Sequence, residues 1–250
     1  MFRFVAYGRT EQSRLDFRGI RFHFLFAMTK NADWVSLSKV SLSFPCVLGL
    51  TEWERRETQT LELELAMSLD FDEAAGGELR RSVDYSAALD HVQFIAQHGR
   101  WLLLESMAAA MARFILAPPA AGERRAQVRC VVVRLRKPDV FGGRAIPSVE
   151  IQRDESWYET REVGGSTDPA RMEILQETRQ TGAYRIHLPP SATWSPPAGM
   201  ALQLIAGRVI VSGQEIRARS AVAQGERTLV VTPNEVPACL LGIRQPPLER

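Results

Sequence analysis

The sequence has few of the residues on which several common protein chemistries depend. Cysteine occurs three times in 250 residues, at Cys46, Cys130 and Cys239, which is too sparse for a disulfide framework and fits a reducing cytoplasm. No apolar run reaches the roughly 18 residues that cross a bilayer. A formal net charge of +2 predicts no basic surface for nucleic acid. We therefore expect a cytoplasmic protein without nucleic-acid or membrane partners.

The sequence also lacks the motifs that mark nucleotide, metal and serine-hydrolase sites. GxGxxG, the P-loop GxxxxGK[ST], HExxH and GxSxG are all absent. The four histidines do not have the spacing of metal ligands. His91 and His98, seven residues apart on a predicted helix, are interpreted as an ordinary surface pair. The expected chemistry uses neither a metal ion nor a cofactor.

Residues 35–160 show patterns typical of strands and helices. In the second predicted strand, leucines and Met67 alternate with Glu62 and Glu64, as in a half-solvated antiparallel strand. A charged loop is predicted at Thr51–Glu57. The order strand, strand, helix, helix, strand, strand predicts an α+β domain with both helices on one face of a four-stranded antiparallel sheet. The predicted strands are Ser36–Leu50, Gln59–Phe71, Gln127–Leu135 and Ala145–Arg153, and the predicted helices are Tyr85–His98 and Trp101–Leu116.

The two ends of the chain differ from this central domain. Residues 1–34 are rich in Arg and Phe without a sustained period, so we predict a tail there, and the first 27 residues are a tail or an artefact of an early start codon. Residues 166–250 contain short strand patterns separated by Pro, Gly and Asn, with no helix pattern after Ile174. This spacing predicts a small all-β barrel or sandwich. Its simplest expected role is assembly, or a lid over a neighbouring active site.

Two ionisable residues stand out in the central domain. Glu105 lies in the apolar segment Trp101–Met107, where a buried carboxylate needs a partner. The partner is either an arginine or a helix cap, or else a flat heterocycle that presents two parallel N–H donors. Lys137 is one of only three lysines against 28 arginines, and lysine can exchange a proton near neutral pH when its pKa is lowered. Taken alone, Lys137 is better interpreted as a solvated lysine at a strand end.

Two further residues are ordinary when each is taken alone. Tyr85 opens a predicted helix, where a tyrosine usually packs, and Glu54 stands among other charges in the predicted loop. Their order along the chain gives them more weight. Leu48-Gly49-Leu50 and Trp53-Glu54-Arg55 come first, and Val83-Asp84-Tyr85, Leu103-Leu104-Glu105 and Lys137-Pro138 follow. Together with the element order, these segments resemble the dihydroneopterin aldolase family of folate biosynthesis over residues 35–155.

The resemblance implies a tunnelling fold (T-fold) whose subunits join into a homo-oligomeric ring, a tetramer or an octamer, with active sites between neighbours. It implies that Glu105 anchors the aminopyrimidinone edge of a pterin, with the Leu104 backbone beside it. Val83, Asp84 and Tyr85 would come from the adjacent subunit. Residues 166–250 resemble a small cupin-like β-barrel, and with His187 as the one histidine there, a metal-free barrel is expected.

The resemblance also implies the reaction, a retro-aldol cleavage of 7,8-dihydroneopterin into 6-hydroxymethyl-7,8-dihydropterin and glycolaldehyde. Tyr85, Glu54 and Lys137 would be the catalytic residues of this metal-independent lyase. Tyr85 would cover the ring and touch the reacting side chain, and Glu54 and Lys137 would stand near the side-chain hydroxyls and N5. Phe141 departs from the small residues expected after Lys137-Pro138, which leaves the substrate open. An epimerase of dihydroneopterin or its triphosphate, or another modified-pterin enzyme, remains an alternative. A non-catalytic assembly scaffold is the alternative of another class.

Overall fold

The computed structural model of the chain describes residues 33–45, 49, 52–142, 144–163, 168–211, 213–222, 230–231 and 237–248. The predicted tail up to residue 32 and Cys46 lie outside the described residues. The helices are α1 (Glu52–Arg56), α2 (Phe71–Ala74), α3 (Tyr85–His98) and α4 (Leu104–Leu116). The strands of the first half are β1 (Asp33–Pro45), β2 (Thr58–Leu69), β3 (Cys130–Arg136) and β4 (Ser148–Asp154). The β-rich part contains β5 (Glu162–Val163), β6 (Arg171–Glu177), β7 (Gly182–Leu188), β8 (Thr193–Trp194), β9 (Met200–Ala206), β10 (Val209–Val211), β11 (Gln214–Ile216), β12 (Ala221–Val222), β13 (Val230–Val231) and β14 (Ala238–Arg244).

The first sheet has four antiparallel strands, as the sequence predicts, and their order in the sheet is β1-β2-β3-β4. Its two faces follow from the alternation along β2, whose leucines at positions 61, 63 and 65 are at most 1% exposed. The other face carries Glu64, which lies opposite Arg134 in the register and pairs with it at 2.8 Å. Arg134 also pairs with Glu150 of β4. One face is therefore an apolar floor for the helices, and the other is a ladder of charges.

The helices end close to their predicted positions. α3 spans the predicted residues, and Asp84 caps it by accepting hydrogen bonds from the backbone N–H groups of Ser86 and Ala87, both at 3.0 Å. α4 begins three residues later than predicted, at Leu104, because Trp101 is fixed in the core by an indole N–H that donates to the Ile95 carbonyl at 2.9 Å. The described residues contain no helix that is both long and apolar enough to cross a bilayer.

The helix layer of α3 and α4 has a sheet on each side. α4 packs on β3 and β4 and also on β6, while α3 packs on β1 and also on β9 and β14. One buried core therefore contains Met111 of α4, Leu65 of β2 and Leu241 of β14. This arrangement explains why α4 is apolar around almost its whole circumference, since both of its faces are removed from water.

The β-rich part consists of two sheets, with strand orders β12-β9-β14-β7-β6-β5 and β11-β10-β13-β8. They share a second core, to which Tyr184 and Leu202 contribute from the larger sheet and Trp194 and Val209 from the smaller one. The larger sheet also packs on the helix layer, so its central strands are buried on both faces. This double burial explains why β7 and β14 are buried at almost every position rather than at alternate positions. The predicted all-β region is confirmed.

His91 connects α3 to the β-rich part, and its predicted position at the surface is wrong. The side chain is 4% exposed, and Nδ1 lies 2.8 Å from Oε1 of Gln203 in β9. The Gln203 amide N–H donates to the Arg219 carbonyl at 3.2 Å, so its oxygen faces the imidazole and Nδ1 carries the proton. Burial lowers the pKa of His91, and nearby Glu123 and Asp90 only partly oppose that effect.

The buried imidazole predicts a pH-dependent stability. The pKa of His91 is lower in the folded chain than the ordinary value of 6.5, so the unfolded chain binds a proton more readily. We expect the free energy of unfolding contributed by this residue to be complete above about pH 7 and to fall as the pH drops through about 6.5. Urea unfolding at pH 7.5 and 5.5 measures this loss. In His91→Phe, which cannot titrate, the loss should shrink; an equal loss in both proteins would contradict the assignment.

Candidate active site

Lys137 and Glu54 form a buried ion pair. Lys137 follows β3 directly and is 5% exposed, and its Nζ lies 2.5 Å from Oε1 of Glu54 on α1. Two interpretations that were favoured for single residues are therefore wrong: Lys137 is not a solvated lysine, and Glu54 is not a solvated loop residue. The predicted charged loop is also wrong, since Glu52–Arg56 is a short helix. Its acidic residues lie in the first turn, where a helix favours negative charge.

Gly49 provides the space for the Glu54 carboxylate. Its φ is +120°, and a Cβ built on it would lie 2.5 Å from the Glu54 carboxylate carbon. The Gly49 N–H donates to the Trp101 carbonyl at 3.3 Å, which ties this turn to the segment before α4. From the other side, the buried amide of Gln59 donates to the Glu54 carbonyl. Gly49 thus leaves room for the carboxylate and Gln59 fixes the backbone of Glu54, which together favour one geometry of the ion pair.

Glu105 occupies the first turn of α4, and its predicted burial is wrong for the single chain. The side chain is exposed, and the preceding Leu103 is 47% exposed, while Leu104 is buried. A carboxylate in the first turn of a helix interacts favourably with the unpaired N–H groups there. Nothing in one copy therefore forces this carboxylate into a low-dielectric environment.

Val83, Asp84 and Tyr85 lie at the start of α3. Val83 is 4% exposed and packs in the core, so it can offer a ligand only its backbone. Asp84 uses one carboxylate oxygen to cap the helix. Tyr85, in contrast, is 56% exposed. The aromatic ring of Tyr85 is therefore the part of this segment that is available to another molecule.

The seven predicted site residues divide into two groups at opposite ends of the helix layer. Trp101, which binds Gly49 beside Glu54, stands just before α4 and Glu105. Asp84 shares a cavity with Ile115, so the start of α3 lies beside the end of α4. Ten residues of α4 separate Ile115 from Glu105, about 15 Å of helix. One copy of the chain therefore holds Glu54, Leu104, Glu105 and Lys137 at one end and Val83, Asp84 and Tyr85 at the other.

Two residues of this arrangement had no predicted role. Gly49 belongs to the Leu48-Gly49-Leu50 segment that carries the resemblance, and its signal is a glycine between two leucines just before the acidic helix. Gln59 gives no such signal, because a polar residue at the start of a strand is common. Its hydrogen bond to Glu54 depends on how β2 and α1 meet, which a pattern along the chain does not contain.

Comparison with known proteins supports the central domain. Residues 40–152 match the family model of dihydroneopterin aldolase (FolB). The crystal structure of the FolB protein from Vibrio cholerae has 26% sequence identity, covers 50% of this chain and 98% of its own, and has a TM-score of 0.43. The dihydroneopterin aldolase of Escherichia coli in complex with neopterin has 24% identity, covers 48% and 98%, and has a TM-score of 0.42. No curated protein matches the chain.

The β-rich part also has neighbours among solved structures. An RmlC-like cupin from Shewanella frigidimarina has 16% identity, covers 39% of this chain and 91% of its own, and has a TM-score of 0.30. All three TM-scores lie below 0.5, so the fold described above rests on its own strand order. The family match does not depend on these scores. By that match, residues 40–152 are a dihydroneopterin aldolase (FolB) domain within a longer chain, which confirms the resemblance.

The contact between Gly49 and Glu54 predicts an asymmetry between two glycine substitutions. Gly49→Ala forces a Cβ into the Glu54 carboxylate and should separate it from Lys137, whereas Gly77→Ala imposes a positive φ of +78° with nothing within 4 Å. We expect Gly49→Ala to reduce the free energy of unfolding by about 2–4 kcal/mol, because it disrupts a buried ion pair as well as straining the backbone. Gly77→Ala should cost only the strain. Urea denaturation of both variants measures the difference, and equal losses would argue against a role for the glycine in placing Glu54.

Proposed function

We propose that the chain is a metal-independent pterin aldolase that cleaves 7,8-dihydroneopterin into 6-hydroxymethyl-7,8-dihydropterin and glycolaldehyde, as a cytoplasmic lyase of folate biosynthesis. The observation that carries this proposal is the buried pair of Glu54 and Lys137 inside a segment that matches the dihydroneopterin aldolase family. A scaffold gains little from such a pair, because an apolar pair of similar volume would serve packing at least as well.

The reaction requires proton transfer at the 2′-hydroxyl of the side chain and at N5 and C1′ of the pterin. Removal of the 2′-hydroxyl proton lets the C1′–C2′ bond break, glycolaldehyde leaves, and the electrons of that bond enter the C6=N5 bond of the ring while N5 takes up a proton. C1′ then gains a proton as N5 loses one, which gives the hydroxymethyl product. The ring accepts the electrons itself, so no Schiff base is needed. Positioned acid and base groups of this kind typically contribute 10²–10⁴-fold.

The side chains at the Glu105 end of the helix layer suit this work. Lys137, whose ammonium is fixed by Glu54, is our candidate for proton transfer at the side-chain hydroxyl and N5. The exposed carboxylate of Glu105 makes no hydrogen bond or ion pair with the part of the chain that the structure describes, so it can accept two parallel N–H bonds from an aminopyrimidinone edge. The Leu104 backbone lies next to it at the start of α4.

A second copy of the chain would complete the site. Val83, Asp84 and Tyr85 lie about a helix length away from Glu105 in the same copy, so in this proposal they come from a neighbour. Two apolar side chains are consistent with such an interface: Leu103 is 47% exposed and Tyr85 is 56% exposed. In the proposed homo-oligomer, a tetramer or an octamer, Tyr85 covers the pterin ring and Glu105 becomes buried.

Turnover tests the proposal directly. Purified protein incubated with 7,8-dihydroneopterin should release 6-hydroxymethyl-7,8-dihydropterin. Chromatography of the reaction mixture over time measures the product. Lys137→Ala should lower kcat by about 10²-fold or more while pterin binding remains, because proton transfer is lost. Tyr85→Phe is the companion variant, since this exposed residue can lose its hydroxyl without unfolding the chain.

The other outcomes separate the alternatives. Formation of only the C2′ epimer would replace the aldolase with an epimerase. Pterin binding without product would point to another pterin substrate. The absence of both binding and product would contradict the proposal and favour the assembly scaffold.

Glu105→Gln tests the pterin anchor. We expect affinity for neopterin to fall by about 10–100-fold. A charge-assisted hydrogen bond is lost, and the NH2 group of the glutamine amide faces an N–H group of the pterin. The residue is exposed, so folding should be unaffected. Glu159→Gln, at another exposed glutamate outside the site, is the matched control. Calorimetry with neopterin measures both, and unchanged affinity in Glu105→Gln would refute the anchor.

A further inference from the structure

A cavity lies between the aldolase domain and the β-rich part, at the end of the helix layer that carries Val83 and Asp84 and opposite the end that carries Glu105. It is enclosed by the start of α3, the end of α4, the loop that follows α4, and residues 205–207 and 218–219 of the β-rich part. Its volume is about 340 Å³, which is at the lower end of the range for small-molecule sites. Glu54, Glu105 and Lys137 are not among its lining residues.

The walls of the cavity are mostly apolar. The apolar lining residues include Met67 of β2, Val128 just before β3, Phe114 and Ile115 of α4, and Ile205 of β9. The Phe114 ring meets the His91 ring edge-on, with centroids 5.2 Å apart and an interplanar angle of 62°. An occupant of this space gains by burying apolar surface, and a flat aromatic ring can pack against these rings.

His91 gives the cavity one directional hydrogen-bond acceptor. Its Nδ1–H is used by Gln203, whose own amide is fixed by the Arg219 carbonyl. Because burial lowers the pKa of His91, the ring is neutral near pH 7 and Nε2 carries a lone pair. In the described part of the chain, no donor lies within hydrogen-bond distance of Nε2. A molecule in the cavity can satisfy this nitrogen with an N–H or O–H group.

When the ion pairs of the charged lining residues are counted, one arginine is left without an acidic partner in the described part of the chain. Glu123 is paired with Arg125 at 2.6 Å and with Arg185 at 3.1 Å, and these guanidinium groups outweigh its burial and keep its pKa low. Arg219 is paired with Asp90 at 2.6 Å and lies 3.8 Å from Asp84, the second carboxylate of the lining. Arg124 also lines the cavity, is exposed, and makes no ion pair or hydrogen bond within the described ranges. The edge of the cavity therefore favours an acidic group.

We propose that this cavity binds a small aromatic acid, with its ring between the apolar walls, a ring N–H or O–H donating to Nε2 of His91, and its carboxylate at Arg124. The three features come from three different elements: α3 supplies His91, the loop after α4 supplies Arg124, and β9 supplies one wall through Ile205. The site therefore exists only where the aldolase domain and the β-rich part meet.

Indole-3-acetate is the probe for this proposal, because it combines an aromatic ring, an N–H and a carboxylate. Calorimetry on the full chain should show saturable binding of one molecule per chain. Indole lacks the carboxylate and naphthalene-1-acetate lacks the N–H, so each should bind at least about 5-fold more weakly. Equal affinity for all three probes would overturn the proposed contacts.

Variants of the lining identify the place of binding. Arg124→Gln should weaken indole-3-acetate binding about 5- to 10-fold, whereas Arg100→Gln, at an exposed arginine outside the lining, should not. Ala87→Phe fills the cavity from the first turn of α3, one helical turn before His91, and should abolish binding. Glu105→Gln should bind the probe normally, which separates this cavity from the Glu105 end of the proposed pterin site. No saturation up to about 1 mM probe, or binding that survives Ala87→Phe, would refute the proposal.

Discussion

The position of the helix layer between two sheets is the constraint on which the rest of the molecule depends. α4 presents alanines and methionines around its circumference because the first sheet covers one side and β6 covers the other. Small residues such as Ala108 and Ala112 let both sheets approach the helix closely, and larger ones such as Met111 fill the remaining space. Once α4 is fixed in this way, its first turn can present Glu105 to solvent and its last turn can close the cavity beside Ile115.

The same helix layer also divides the proposed site residues of one copy into two groups, one at each end. Glu54 and Lys137 form a rigid pair at one end because Gly49 lets the carboxylate approach the backbone. Tyr85 stands at the other end on a helix that Asp84 caps. The two groups cannot meet within one copy, because about 15 Å of regular helix in α4 lies between the two ends of the layer. Because the resemblance assigns both groups to one site, this division is the physical reason for proposing that the site forms between neighbouring copies.

Local pattern was enough to predict the four strands and the two long helices of the first half, though not the short helix α1. It failed for burial where the outcome depends on residues far along the chain. The alternation along β2 and the Asp84 cap of α3 are local signals, so strand and helix appear where predicted. The burial of Lys137 depends on α1, 83 residues away along the chain, and that of His91 on Gln203, 112 residues away. Glu105 shows the opposite error: its apolar neighbours suggested burial, but its position in the first turn exposes it.

A buried network of charges explains how the β-rich part takes one position on the helix layer. Arg185 of β7 reaches Glu123 of the loop after α4 and also faces Glu173 of β6, which accepts a hydrogen bond from Tyr158. Such groups add little net stability when they are paired, but leaving any one of them unpaired in the interior costs several kcal/mol. A displaced sheet would retain much of its apolar contact and lose these partners. The network therefore selects one docking position, and with it the wall that Ile205 gives to the cavity.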